Sequence, residues 1–426
     1  MLRSQVEKVM AINPKIMIVG VDIAKKTHWA RVLNYAGLEI TKPFSFHNTK
    51  EDFIRTVVKL ENLKKEKGLE EIIVGMEPTG HYWKGLAWFL KQNGIPVVMV
   101  NPYHVKKAKE LDDNTQTKSD RKDAFVIAKL VKDGRYSKVY LPEGVYAELR
   151  VLSNTRSQMR AKLNVVKNML VAILDEYFPE FAKVFKNLEG KLATHALYHF
   201  PFPQQVIERG LDGMVFEFKK AVKKGACLKR AKKLLGAAEE SIGVTAGTES
   251  AKIRMRSCLE EIEFLRKQMA NIEIEMEKKL EATGIAQYMI SFPGIGVVTA
   301  AGILGEIGDP KRFESWEQVR KYAGFNLVED SSGDRKGKTV VSKRGRAMLR
   351  NILYQAALVM VAKNKEMKLL YHHLTDRKEN PLCKKQALVV IAIKIIKVIL
   401  TLVNKQQLYD AGKVLGEYRI EQIKAA

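Results

Sequence analysis

Four carboxylates have the types and spacing to do chemistry together. Asp22 closes the apolar run KIMIVGVDI (residues 15–23), and Glu77 ends EEIIVGME within GMEPTGHYW. Asp120 and Asp123 stand at i and i+3 in KSDRKDAFVIA, which puts both on one face of a helix. Converging carboxylates repel one another unless a divalent cation neutralises them, and hard oxygen ligands suit Mg²⁺ or Mn²⁺. A pair of such ions can stabilise both the attacking and the leaving oxygen of phosphodiester cleavage. Taken singly, each acid reads first as a solvated side chain or a cap. Asp22 resists that reading, because it stands at the mouth of an apolar strand.

A second chemical feature lies far downstream, in LVEDSSGDRKGKTVVSKRGRAMLR (residues 327–350). Ser331 and Ser332 precede Gly333, and serine beside glycine is ordinarily a turn former. If one of them is a nucleophile, no histidine in the segment can serve as its base, so activation must come from a metal or a basic residue. Arg335, Lys336, Lys338, Lys343, Arg344, Arg346 and Arg350 could neutralise a phosphorane-like transition state. Arg346 and Arg350 fall at i and i+4 on a predicted helix. The alternative is a solvated basic loop. Upstream of it, Pro293-Gly294-Ile295-Gly296 precedes a small-residue helix, and the unpaired N–H groups of a helix N-terminus favour a phosphate. This is the logic of a helix-hairpin-helix, which holds duplex backbone without reading bases. A tight helix–helix turn fits the same spacing. Lys106, Lys107, Lys109 and Lys118, between the fifth strand and the paired aspartates, read as a lysine-rich loop that could touch a backbone.

The chain that must position these groups has 426 residues, enough for two or three domains, with 46% hydrophobic content. Its 73 Lys and Arg against 48 Asp and Glu give a net charge of +25. Such an excess implies a polyanionic partner, nucleic acid before an anionic membrane, with a merely solvated basic surface as the plain alternative. Three scattered cysteines argue against a disulfide framework or a cysteine zinc site. The N-terminus lacks a long apolar h-region, and the run ALVVIAIKIIKVIL (residues 387–400) is broken by Lys394 and Lys397. It reads as a core-packing helix. A cytosolic protein with no membrane partner fits.

The apolar patterns place the elements. Residues 15–23 read as a buried strand, HWARVLN and LEITKPFSF as two more in a meander, EEIIVGME as a fourth and IPVVMVN as a fifth. Helices are expected over residues 49–67 with Thr49 as N-cap, over 81–93 closed by Gly94, and from about Ser119 to Lys132. Three strands, then helix, strand, helix, strand, helix is the order of an RNase H-like domain. In that fold the first and fourth strands are neighbours, and the last helix crosses their ends, so the four acids would converge. Exonucleases of the fold carry Asp-x-Glu on the first strand; Asp22-Ile23-Ala24 lacks the second acid, which points to the resolvase-like branch. From Leu149 the period changes. Leu149, Leu152, Met159, Leu163, Val166, Leu170, Ile173 and Tyr177, and then Ile262, Leu265, Met269, Ile272, Met276 and Leu280, make two seams of coiled-coil type, the second somewhat shorter. They fit either two helices of one bundle or an oligomerisation arm. Residues 183–250 carry little signal. The boundaries expected are 12–146, 147–284 and 285–426: an α/β domain, long helices, and a mainly α-helical C-terminal domain.

GVDIAKKTHWARV, MEPTGHYWKGL, VNPYHVKKA and KSDRKDA together resemble the DEDD, RuvC-like domain of the insertion-sequence one-ten group of transposases. PGIGVVTAAGILGEIGD, YAGF, SSG and VSKRGRAMLRNIL resemble that group's C-terminal transposase domain, in the family's order. The resemblance spans about residues 15–135 and 287–362. It implies a site-specific DNA recombinase that excises and inserts its own element, with Mg²⁺ on Asp22, Glu77, Asp120 and Asp123. It implies a covalent phosphoserine link to DNA, formed by the serine directly before the glycine, Ser332. It further implies donor and target duplex DNA as partners, a bridge RNA that pairs with both, and a tetramer, a dimer of dimers, in which carboxylates of one subunit meet the serine of another. The family's usual proline after YAG-Leu is missing from YAGFNLVEDSSG, Ser119 stands where threonine is common, and Arg346 where asparagine is frequent. None of these removes a proposed ligand or nucleophile. Two other readings of the residues remain: a structure-selective metal-dependent nuclease that uses water, and a non-enzymatic nucleic-acid-binding assembly protein.

Overall fold

The computed structural model describes residues 3–112, 120–222, 227–329, 337, 339–416 and 421, and for residues 3–5, 110–112 and 120 only the backbone. The chain divides into two compact units, Met1–Leu141 and Pro142–Ala426.

In the first unit the order is α1 (Arg3–Met10), β1 (Ile16–Asp22), β2 (Thr27–Leu33), β3 (Phe44–His47), α2 (Lys50–Glu66), β4 (Glu71–Met76), α3 (Trp83–Gln92), β5 (Val97–Val100), α4 (Pro102–Asp112), α5 (Asp120–Lys132) and β6 (Tyr136–Lys138). The strands form one sheet, ordered β3-β2-β1-β4-β5-β6. β1 pairs antiparallel with β2 and parallel with β4, as the meander and the later helical crossovers require. Thr49 caps α2, its side chain accepting from the Asp52 amide, as its residue type foretold.

Three local expectations need correction. β3 begins only at Phe44, after a single bridge between Leu33 and Glu39, because Pro43 has no N–H to give to a ladder. β6, three residues long, is too short to show a period of two. Of the lysine-rich segment after β5, Lys106, Lys107 and Lys109 lie in helix α4, not in a loop, and Lys118 lies outside the described residues. Asn101 caps α4, its Oδ1 accepting from the Tyr103 amide at 2.9 Å, Pro102 takes the first helical position, and Val105 is buried against the sheet.

Alternation along the strands fixes what faces where. Met17, Val19 and Val21, with Ile72, Val74 and Met76, join Phe53, Leu60 and Leu86 in one core on the α2–α3 face. Ile16, Ile18 and Ile73 join Val126, Ile127 and Val131 of α5 on the other. Gly20, Asp22, Gly75 and Glu77 share the parity of that second set, so a period of two sends all four towards the α5 side.

The second unit contains α6 (Gly144–Tyr177), α7 (Phe181–Val184), α8 (Lys191–His199), α9 (Pro203–Ala221), α10 (Cys227–Glu239), α11 (Thr248–Glu281), α12 (Ala286–Ile290), α13 (Val297–Ile307), α14 (Trp316–Ala323), β7 (Leu327–Val328), β8 (Val340–Val341), α15 (Ala347–Lys363), α16 (Lys365–Asp376), α17 (Lys384–Lys405) and α18 (Ala411–Val414). α6 and α11 pack on each other within the chain, along the seams read from the sequence. They run antiparallel: Leu149 shares a core with Met276 and Leu280, and Leu174 shares another with Ala251 and Met255. Arg156, which interrupts the α6 seam, donates to Glu273 at 2.7 Å. α11 is not the shorter helix; both have 34 residues, because Met255, Cys258 and Leu259 carry its buried stripe further upstream. α7 and α9 add Phe181 and Phe218 to the far core, and the segments that join the helices add Phe178, Phe200 and Phe202. The near core is built on α17. By length and composition α17 could cross a membrane, yet 61% of its apolar window is buried here, with Ile391, Ala392 and Ile395 at its centre.

Candidate active site

Asp22 and Glu77 come together because their strands are parallel neighbours. The last paired positions are Val21 and Met76, so the next step along each chain is Asp22 and Glu77, at the carboxyl ends of adjacent strands. Open α/β sheets bind their ligands at that edge. α5 supplies the third acid. Gly20 is what lets it approach: a Cβ there would run into the Ala124 carbonyl and would lie 2.5 Å from the Ala128 amide. Gly75, beside it in the sheet, leaves room in the same way for Val131. Asp123 immediately precedes Ala124 and is buried. Asp120 opens α5 one turn earlier, on the same helix face. The first two turns of α5 are held to β2 by Arg121 over the Trp29 ring, 4.4 Å from its centre, and by Arg31 over Phe125 at 4.3 Å.

The electrostatics agree with a cation site. Burial raises the Glu77 carboxyl above the usual range; the Lys109 ammonium draws it down again and the Asp123 carboxylate raises it. Three charges therefore sense one another at this edge. Lys109 Nζ lies 2.5 Å from Asp123 Oδ2, while Asp123 Oδ1 is buried with no hydrogen-bond partner. An orphaned, buried carboxylate oxygen beside a second, desolvated carboxylate suits a hard divalent ion. Lys109 was legible in the sequence only as one of several basic residues. The sign that it would be fixed here was the Asn-Pro helix start before it.

The serine segment springs from a defined base. β7 and β8 pair antiparallel, Leu327 with Val341 and Val328 with Val340, and hold the two ends of the intervening loop together. Below the hairpin, Gly324 and Gly345 cross. A Cβ on Gly345 would lie 2.5 Å from the Tyr322 carbonyl and 2.6 Å from the Gly324 amide, so no larger residue fits. Arg346 precedes α15, and its Nε donates at 2.8 Å to Glu306, which is 1% exposed. Arg350 donates to the Ala323 carbonyl at 2.8 Å. These two arginines therefore brace the base of the hairpin. Lys343 and Arg344 are exposed, and Lys343 adopts a left-handed backbone at φ 55°. Ser331, Ser332, Arg335, Lys336 and Lys338 lie outside the described residues.

The two glycines before α13 differ. Gly294 packs on Met360, where a Cβ would come within 2.9 Å of Cγ, so a tight turn accounts for it. Gly296 is the exposed N-cap of α13, with open space about its Cα. Val298 and Thr299, in the first turn of α13, line a cavity of about 610 Å³ together with Arg156, Arg160, Asn164 and Gln355.

Residues 19–179 match a family described as "Transposase", of the DEDD IS110 type, and residues 286–372 match the "Transposase IS116/IS110/IS902 family". The "Transposase for insertion sequence element IS1111A" of Coxiella burnetii is 24% identical over 93% of this chain and 92% of its own length. The "Insertion element IS116 uncharacterized 44.8 kDa protein" of Streptomyces clavuligerus is 23% identical over 92% and 95%. The "Insertion element IS110 uncharacterized 43.6 kDa protein" of Streptomyces coelicolor is 23% identical over 71% and 74%. Strand-end carboxylates at the first block, followed by the second block in the same order, define a DNA transposase, an enzyme that cuts and rejoins DNA. The chain belongs to the IS110 family of transposases.

Proposed function

We propose that this transposase is a site-specific recombinase whose sheet is an RNase H-like domain of RuvC type, and whose serine is the nucleophile. The observation that carries the reading is the meeting of Asp22 and Glu77 on the α5 side of the sheet, with Asp123 brought beside them over Gly20. Asp22, Glu77, Asp120 and Asp123 would hold Mg²⁺ or Mn²⁺, which supplies Lewis-acid stabilisation of phosphodiester oxygens. The domain boundaries at 146–147 and 284–285 belong to the same proposal.

The chain's own groups then divide the work. Lys109 shields Asp123 and holds the Glu77 carboxyl below where burial alone would put it. Ser332 Oγ attacks a DNA phosphorus; an O–P bond to serine forms, the bond to a sugar oxygen breaks, and that oxygen leaves with a proton. Attack of a sugar hydroxyl on the phosphoserine reverses the step and joins a new strand, so bond energy is conserved. Arg335, Lys336, Lys338, Lys343 and Arg344 supply positive charge to the transition state or to flanking phosphates. The α13 N-terminus at Gly296, helix-hairpin-helix-like in its use of backbone amides, opens beside a groove with Arg156 and Arg160 and would track the duplex backbone.

A bridge RNA that pairs with donor and target DNA, and assembly as a dimer of dimers in the prokaryotic cytoplasm, complete the reading. The charge of +25 accommodates two nucleic acids. The nucleophile is tested by Ser332→Ala, which should abolish cleavage while DNA binding survives; continued cutting and rejoining would overturn the assignment. Asp22→Ala should abolish cleavage through lost metal, and full activity in EDTA would sink the metal site. The RNA is tested by sequencing nucleic acid that co-purifies with and without nuclease treatment. A single structured species is expected, and a random pool would refute guidance.

A further inference from the structure

Among the described residues, the one group of three metal-ligating side chains whose donor atoms all lie within 4.8 Å of one another is His195, His199 and Glu217, away from the strand-end carboxylates. His195 and His199 lie one turn apart on α8, and Glu217 comes from α9. We infer that this group binds a divalent transition-metal ion of the zinc type, cross-linking α8 to α9 in the lobe between the two long helices.

The geometry is most of the way to a ligand set. His195 Nε2 lies 3.1 Å from Glu217 Oε2. Bond lengths near 2.1 Å in a tetrahedral zinc site put ligand atoms roughly 3.3 Å apart, so this pair already has the separation a shared ion needs. The ring of His199 lies 4.2 Å from that of His195, and it makes no hydrogen bond among the described residues. His199 is exposed and can turn its free nitrogen inward at little steric cost. Glu217 is 7% exposed, an unusual place for a carboxylate between helices unless its charge is compensated. Its second oxygen, Oε1, accepts from Lys220 at 3.0 Å, which fixes the carboxylate's orientation and leaves Oε2 for the ion. Water would fill the fourth position.

Two imidazoles select against Mg²⁺, which wants oxygen, and favour Zn²⁺ and its neighbours. The site is thus chemically separate from the strand-end carboxylates, and a preparation in excess Mg²⁺ leaves it available. Arg209 and Lys220 place positive charge nearby and hold the affinity below that of a purely acidic cage.

The test is a titration of the full chain with ZnCl₂ in excess Mg²⁺, read by calorimetry, with Co²⁺ as an absorbing surrogate. One tight Zn²⁺ per chain is expected, together with the visible absorption of a tetrahedral Co²⁺ site. Outer-shell partners alone are worth roughly 10–100-fold in metal affinity, so losing a direct ligand should cost at least that. His199→Ala and Glu217→Gln should both weaken zinc binding by this factor, and Asp22→Ala should not. His199 is exposed, so its substitution does not threaten the fold. Zinc should raise the melting temperature of the parent chain but not of His199→Ala. Absence of tight zinc in the parent chain, or the same affinity in all three variants, would overturn the inference and leave a plain hydrogen-bonded His–Glu pair.

Discussion

Replacing Gly20 with alanine should separate α5 from the sheet and disable the carboxylate site without touching a carboxylate. The added Cβ would lie 2.5 Å from the Ala128 amide and 2.8 Å from the Ala128 Cβ, as well as against the Ala124 carbonyl. Ordinary carbon contacts begin near 3.5 Å, so the helix must retreat by about 1 Å. Backbone atoms make the collision, so no rotamer change relieves it. Overpacking of this kind costs about 1–3 kcal/mol, and occasionally more. At about 4 °C per kcal/mol for a domain of this size, the melting temperature should fall by roughly 4–12 °C. Asp123 moves with Ala124, and a misplacement on the order of 1 Å can cost about 100-fold in rate. The assay is single-turnover, Mg²⁺-dependent cleavage of element-end DNA at a temperature where the variant remains folded. Gly75→Ala serves as comparison: the nearest atoms its Cβ meets belong to the side chains of Val131 and Ile127 and not to backbone, so its defect should be smaller. A Gly20→Ala chain with the parent's melting temperature and cleavage rate would refute the claim that close helix approach positions Asp123.

Glu77→Gln should abolish cleavage yet raise the melting temperature near neutral pH. Burial lifts the folded-state carboxyl above its unfolded value, so this group's contribution is fully present below the unfolded value and lost as pH rises through the raised one. The glutamine chain escapes that loss, and its advantage should vanish in melts at acid pH; an advantage independent of pH would contradict the argument. For the same reason the acid limb of the cleavage profile should move to higher pH in Lys109→Met, because Lys109 is the cation that lowers Glu77; an unmoved limb would place Lys109 outside the site. Arg346→Ala strands the buried Glu306 and should cost about 2–3 kcal/mol, below the full value for a buried pair because Arg346 is 41% exposed. Thermal melts check this, and an unchanged melting temperature would remove the bracing role. Lys343→Ala, by contrast, should leave stability alone and lower the salt slope of DNA binding by about 1, and an unaltered slope would show that Lys343 meets no phosphate.

The α/β sheet was legible because its strands are buried, β-branched runs whose order admits few topologies. Asp22 and Glu77 could be paired in advance because both lie at the ends of such runs. The role of Gly20 could not, since a glycine within an apolar strand does not announce which backbone will press on it. α4 was missed because, among its described side chains, only Val105 and Ala108 join the core, and three turns of lysine-rich sequence look like solvated loop. The two long helices showed their seams, but a seam is the same whether its partner is in the chain or in another subunit. Arg346 illustrates a further limit: a basic residue beside a basic loop reads as a phosphate contact. Its actual partner, Glu306, lies forty residues earlier, inside a helix of small apolar residues.

The central claim is that serine, not water, attacks the phosphodiester at a site governed by the strand-end carboxylates. Its most direct measurement is the covalent adduct: end-labelled element DNA is incubated with the protein and Mg²⁺, denatured and resolved, and the labelled peptide is identified by mass spectrometry. A phosphoserine at Ser332, absent from Ser332→Ala and from Asp22→Ala, is the predicted result. Efficient cleavage with no protein–DNA link, leaving free hydrolysed ends, would contradict the account and leave a metal-dependent nuclease in its place.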